Sequence, residues 1–149
     1  MTYNVHHYNP PAIKRLIDAG AIADVIKSNK ADIVFLQEID IKTRRVDGIN
    51  QSLELSRLTG LKYSVFFKAI DILGGDFNAE PVSKEMGIMF SRYTSSTSDF
   101  VVTFPNINPE KTIDYLFTRR IDKIKFISHK VIPGINASDH LPVIAVVEF

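Results

Sequence analysis

The stretch Gly74-Gly75-Asp76-Phe77-Asn78 carries the densest chemistry in the chain. The apolar pair Ile72-Leu73 precedes it and Ala79-Glu80-Pro81 follows, the pattern of a strand ending in a tight turn. Glycines there let the backbone approach its neighbours closely. Asp76 and Asn78, at i and i+2, fall on one side of an extended segment. An acid that aligns a nucleophile, beside an amide that donates to a charged oxygen, suits attack on a phosphoester. The plainer alternative is a Gly-Asp turn capped by its own Asn.

Further polar groups stand where strands end or turn: Asn4, Glu38, Asp114, Asp139 and His140. Such placement is how loops on one rim of a β scaffold build a site. The set holds carboxylates for a hard cation, a His–Asp pair, and amides for oxyanions. Mg²⁺ or Mn²⁺ suits it, because such an ion takes few protein carboxylates and fills its shell with water and phosphate. Glu38, at the end of an apolar run, has an alternative as a solvated strand terminus. His6 and His7 are expected not to be ligands, since neighbours in a strand face opposite sides.

The elements that must hold these groups follow from pattern. Met1 to Val5 is β-prone and begins in mid-strand. Ile17, Ala21, Ile22, Val25 and Ile26 recur at helical spacing, with Asp18 as cap and Asn29 near the end. Asp32 to Leu36 is a short apolar run, hence a buried strand. Ile49, Leu53 and Leu58 before Gly60 give a short helix closed by a glycine. Lys62 to Lys68 reads as a strand, and Ser83 to Phe90 as a helix capped by Ser83. Ser91 to Asp99 reads as a polar loop without packing signal, and Asn106 to Pro109 as another. Thr112 to Thr118 alternates like a strand with Asp114 inside it, and Ile124 to Val131 is a weakly patterned strand. Ser138 to Pro142 is a polar turn before a last buried strand, Val143 to Phe149.

A chain of 149 residues with 45% apolar content has the size of one domain, 1–149, with a sizeable core. Net charge +1 implies no strong field, so charge alone does not indicate a nucleic-acid partner. The absence of cysteine removes disulfides, thiolate nucleophiles and Cys-ligated metals. No apolar run is long enough to span a bilayer and no secretory pattern opens the chain, so a soluble, cytoplasmic protein is expected. The mid-strand start leaves room for an upstream piece, and with it secretion.

The ordered set Asn4-Val5, Leu36-Gln37-Glu38, Gly75-Asp76-Phe77-Asn78, Ile113-Asp114-Tyr115 and Ser138-Asp139-His140-Leu141-Pro142 resembles the endonuclease/exonuclease/phosphatase superfamily. That group includes pancreatic deoxyribonuclease, apurinic/apyrimidinic endonucleases, inositol polyphosphate phosphatases and neutral sphingomyelinases. The resemblance implies an α/β (α+β) fold, a two-sheet β-sandwich flanked by helices. It also implies a metal-dependent hydrolase that cleaves a phosphodiester or phosphomonoester with an activated water. Asn4 and Glu38 would hold the Mg²⁺ (or Mn²⁺), with Asp139 as a further or water-bridged ligand. Asp76 would align or deprotonate the water, and Asn78 would steady the phosphate. Asp114 would orient His140, which would bind the scissile phosphate or share in proton transfer. The substrate would be a nucleic acid, a phospholipid head group or a sugar phosphate. Arg44, Arg45, Arg92, Arg119 and Arg120 are scattered, as on a solvated face.

One departure stands out. Lys62 to Gly75 has no Gly, Pro or Asn before Gly74, and run straight it would measure roughly 45 Å. A compact domain of this length has a radius of gyration of only about 15 Å. The family's members are longer here, with core strands and a phosphate-contacting His, so a central segment is expected to be missing near Ile70/Ile72. The alternative to an enzyme is therefore a non-catalytic or degenerate remnant that binds metal or phosphate without turnover.

Overall fold

The computed structural model describes residues 1–13, 16–62, 72–120 and 123–149. Two sheets form. In the first, β1 (Thr2–Asn4) pairs in parallel with β2 (Phe35–Gln37) and antiparallel with β7 (Val143–Glu148), whose other side takes β6 (Lys125–Val131). In the second, β3 (Ile72–Asp76) and β4 (Tyr93–Ser95) flank β5 (Asp114–Arg119), both antiparallel to it. Three helices complete the fold: α1 (Ala19–Ser28), α2 (Gln51–Thr59) and α3 (Lys84–Arg92). It is the mixed α and β, two-sheet arrangement expected.

Strand alternation explains the layering. Met1, Tyr3 and Val5 enter a core with Ile22 and Ile26 of α1 and Leu55 of α2. Thr2 and Asn4, equally buried, take the opposite face. On β5, Tyr115 and Phe117 pack with Met86, Met89 and Phe90 of α3, so Asp114, Leu116 and Thr118 lie on the other face. The sheets meet at Gly74, where a Cβ would lie 2.7 Å from Leu116 Cδ2 and 2.9 Å from Phe35 Cδ2. Each fully buried large apolar side chain in these cores contributes roughly 1.5–3 kcal/mol.

The helices start and stop as their sequences dictate. Asp18 Oδ1 accepts from Ala21 N at 2.9 Å, and Asn50 Oδ1 accepts from Leu53 N at 3.2 Å. Ser83 Oγ accepts from Met86 N at 3.3 Å. Gly60 ends α2 with φ +78, a left-handed cap that suits a residue without Cβ.

Several boundaries differ from expectation. The run Asp32 to Leu36 becomes a strand only from Phe35, and it continues to Gln37. Tyr93–Ser95 is an edge strand where a polar loop was expected, because its backbone pairs with Phe117–Arg119 and the Tyr93 ring lies 6.3 Å from that of Phe117. β5 starts at Asp114, with Ile113 O accepting instead from Phe77 N at 2.8 Å. The weak pattern of β6 is a register shift between Phe126 and Ser128, which reverses side-chain phase. The strand expected at Lys62 to Lys68 and the break expected near Ile70 fall on 63–71, outside the described residues.

Candidate active site

The register of β3 on β5 sets Asp76 directly opposite Asp114. Opposed residues of an antiparallel pair share a face, and two like charges there repel. His140 stands against both. Its Nδ1 is 2.9 Å from Asp114 Oδ2, and its Nε2 is 3.8 Å from Asp76 Oδ2. All three side chains are nearly withdrawn from solvent.

Burial pushes the Asp114 carboxyl above its ordinary range, in spite of the hydrogen bond and charge of His140. Burial alone would lower the His140 imidazole. The hydrogen bond and charge of Asp114, with the charges of Asp76 and Asp139, outweigh that and hold it above its ordinary value. The ring is therefore a favoured cation beside two acids.

Three of the strand ends are tied to one another by a single amide. Asn4 Nδ2 donates to Glu38 Oε1 at 3.0 Å and to Asp76 Oδ2 at 3.2 Å, so one buried carboxamide bridges both sheets. Its Oδ1 accepts from His6 N at 3.0 Å. Asn78 donates from its backbone N to Asp76 Oδ1 at 2.8 Å and from Nδ2 to Asp76 Oδ2 at 3.2 Å. The Asp76 carboxylate thus caps the turn, with Asn78 as donor rather than as the capping group of the plainer alternative, and Asp76 also meets Asn4 and His140. Asn78 and Glu38 both adopt positive φ, 48° and 55°. Asn tolerates that region, whereas for Glu it is uncommon.

Ser138 Oγ donates to Asn4 O at 2.7 Å, which draws the Ser138–His140 turn onto the end of β1. Asp139 lies 3.8 Å from His6 Nδ1 through Oδ1, with its side chain about 30% exposed. The sequence-expected residues thus form one constellation. Asn4, Asp76, Asp114 and His140 make a withdrawn floor, with Glu38, Asn78 and Asp139 more open to solvent. No direct bond links Asp139 to Glu38 or to the Asn4 side chain among the described contacts. Among the described residues no three His, Cys, Asp or Glu side chains gather as a ready metal cage.

Sequence reasoning missed several supports. Thr103 Oγ1 accepts from Ile113 N at 3.2 Å and Asp114 N at 3.3 Å, and Leu141 N donates to Thr103 O at 2.8 Å. The Phe104 ring lies 4.8 Å from that of His140. His6 and His7 leave the strand in a tight turn, so both rings reach acids of the site. The alternation rule failed there because β1 ends at Asn4. Of the scattered arginines, Arg45 pairs with Asp40 and Arg120 donates to Phe90 O.

The model of the Endonuclease/Exonuclease/phosphatase family matches residues 1–140. No curated protein and no solved structure matches the chain. Among the described residues, no helix is long and apolar enough to cross a membrane.

Proposed function

The chain belongs to the endonuclease/exonuclease/phosphatase family, a fold of hydrolases acting on phosphate esters, and from that premise we propose a Mg²⁺- or Mn²⁺-dependent phosphoesterase. The observation that carries the reading is His140 set between Asp114 and Asp76, with Asn4 joining Asp76 to Glu38.

The donor set fits a hard cation. Glu38, Asp76, Asp114 and Asp139 concentrate negative charge around one favoured cation, His140, in a chain whose net charge is +1. The oxygens of Glu38 and Asn4, with Asp139 on the open side, would hold the ion, a set too small for Ca²⁺ but ordinary for Mg²⁺. When bound, such an ion neutralises phosphate charge and polarises a phosphoryl oxygen.

The chain's own residues supply the remaining steps. Asp76 orients the attacking water and draws its proton, having both oxygens fixed by Asn78 and Asn4. Asn78, exposed beside it, steadies a phosphate oxygen through its amide. Asp114 fixes the imidazole plane, and His140 Nε2 donates to the phosphate as charge develops. The substrate is a phosphodiester or phosphomonoester of a nucleic acid, phospholipid head group or sugar phosphate.

The test is hydrolysis by the 149-residue chain of bis(p-nitrophenyl) phosphate, plasmid DNA, sphingomyelin and an inositol phosphate. Each is assayed with Mg²⁺, with Mn²⁺ and with a chelator. Metal-dependent release that Asp76→Asn abolishes supports the proposal. A folded chain that binds metal but turns over none of the four would instead be the non-catalytic remnant.

A further inference from the structure

The most strained backbone beside the site is the turn after β1, where His6, His7 and Tyr8 have φ of 43°, 54° and 63°. Left-handed backbone costs L-residues roughly 1–2 kcal/mol each. The surrounding structure over-determines the turn. His7 N donates to Glu38 O at 3.0 Å, and Tyr8 OH donates to Gln51 O at 2.7 Å. Gln51, fully buried, donates from Nε2 to His7 O at 2.8 Å and accepts from Asp40 N at 2.7 Å.

This turn brings the His7 ring between two acids. Its Nε2 lies 3.2 Å from Glu38 Oε2, and its Nδ1 lies 3.4 Å from Asp40 Oδ2. Asp40 is buried and backed in turn by Arg45 Nε at 2.8 Å. Asn4 already holds the other Glu38 oxygen, Oε1, at 3.0 Å. Each oxygen of one half-exposed carboxylate therefore faces its own nitrogen, and a solvated strand end needs neither.

We propose that His7 is a positioning residue for Glu38: the Asp40-backed ring holds Oε2 so that the carboxylate keeps one orientation toward a divalent cation. The inference rests on the reading of Glu38 as a cation ligand. Partners behind a metal ligand typically account for about 10–100-fold in metal affinity. The strain of the turn is then spent on bringing an imidazole to a place that a relaxed strand, with its alternating sides, would not reach.

Mn²⁺ affinity, read by calorimetry on the full chain, tests this with four variants. His7→Asn tolerates the left-handed backbone but stops short of Glu38, and is expected to weaken binding about 10–100-fold. His7→Gln carries an amide nitrogen farther out and is expected to recover most of the loss. Glu38→Gln alone removes the ligand charge. The double variant Glu38→Gln with His7→Asn is expected to bind no more weakly than Glu38→Gln, because the two changes break one connection. Thermal unfolding verifies that each variant folds. Wild-type affinity in His7→Asn, with Glu38→Gln weakened, overturns the positioning role alone. An additive loss in the double variant overturns it as well. Equal affinity in wild type and Glu38→Gln overturns the cation reading and the positioning role together.

Discussion

At the scale of the residue, Asp76, Asp114 and His140 form an electrostatic compromise. Two acids opposed across a strand pair are held by one imidazole that gains proton affinity from them. Because the folded His140 holds its proton above its ordinary value of 6.5, the stability it contributes is fully present below pH 6.5. That contribution is lost as pH rises through the higher folded value. Asp114, also raised from its ordinary 3.8, acts in the same sense from a lower starting pH. Denaturant titrations of metal-free protein should therefore show stability falling above pH 6.5 in the wild type, with a much flatter profile in His140→Gln. Equal slopes would contradict the pairing. Replacing Asp114 by Ala leaves His140 without its buried partner and should cost about 3–5 kcal/mol in the same titration. In the hydrolysis assay, His140→Ala should lower kcat by roughly 10²–10⁴ and move KM little, since its donation matters most where charge develops.

At the scale of the element, β3 shows how the fold and the site share one requirement. Gly74 is the contact point of the sheets, and Asp76 lies two residues further along the same strand. Gly74→Ala should cost about 1–3 kcal/mol, because the Phe35 ring must yield. Gly87→Ala, inside α3 with nothing near the added carbon, should instead gain about 0.5–1 kcal/mol. Denaturant midpoints of the two variants give the comparison. Caps, helices and the ordered polar motifs could be read from the sequence because each is local: Asp18, Ser83 and Gly60 act within a turn of chain. The turn at His6–Tyr8 could not, since its left-handed backbone is imposed by Gln51 and Glu38, far along the sequence. The edge strand Tyr93–Ser95 was hidden for a similar reason. Its residues are polar, and its state is decided by the partner β5 rather than by its own pattern. Thr103 and Phe104 had no signal at all, because only the fold brings Thr103 to Asp114, 11 positions away, and Phe104 to His140, 36 positions away.

At the scale of the molecule, a nearly neutral chain gathers acids at one end of its sheets. A cation bound there by the native state alone raises stability by mass action, about 2.7 kcal/mol at a hundred times its dissociation constant. Mg²⁺ should accordingly raise the unfolding midpoint of the wild type and leave that of Glu38→Gln nearly where it was. A midpoint indifferent to Mg²⁺ in both would speak against the cation site. The bond from Ser138 to Asn4 joins positions 134 apart in the chain. During synthesis, Asn4 leaves the ribosome roughly 7 to 27 seconds before Ser138 does, at about 5–20 residues per second. In that interval the acids of the early strands are made but the imidazole that must join them is not. The early strand ends are thus complete well before the turn that ties them together exists, so the constellation can close only near the end of synthesis.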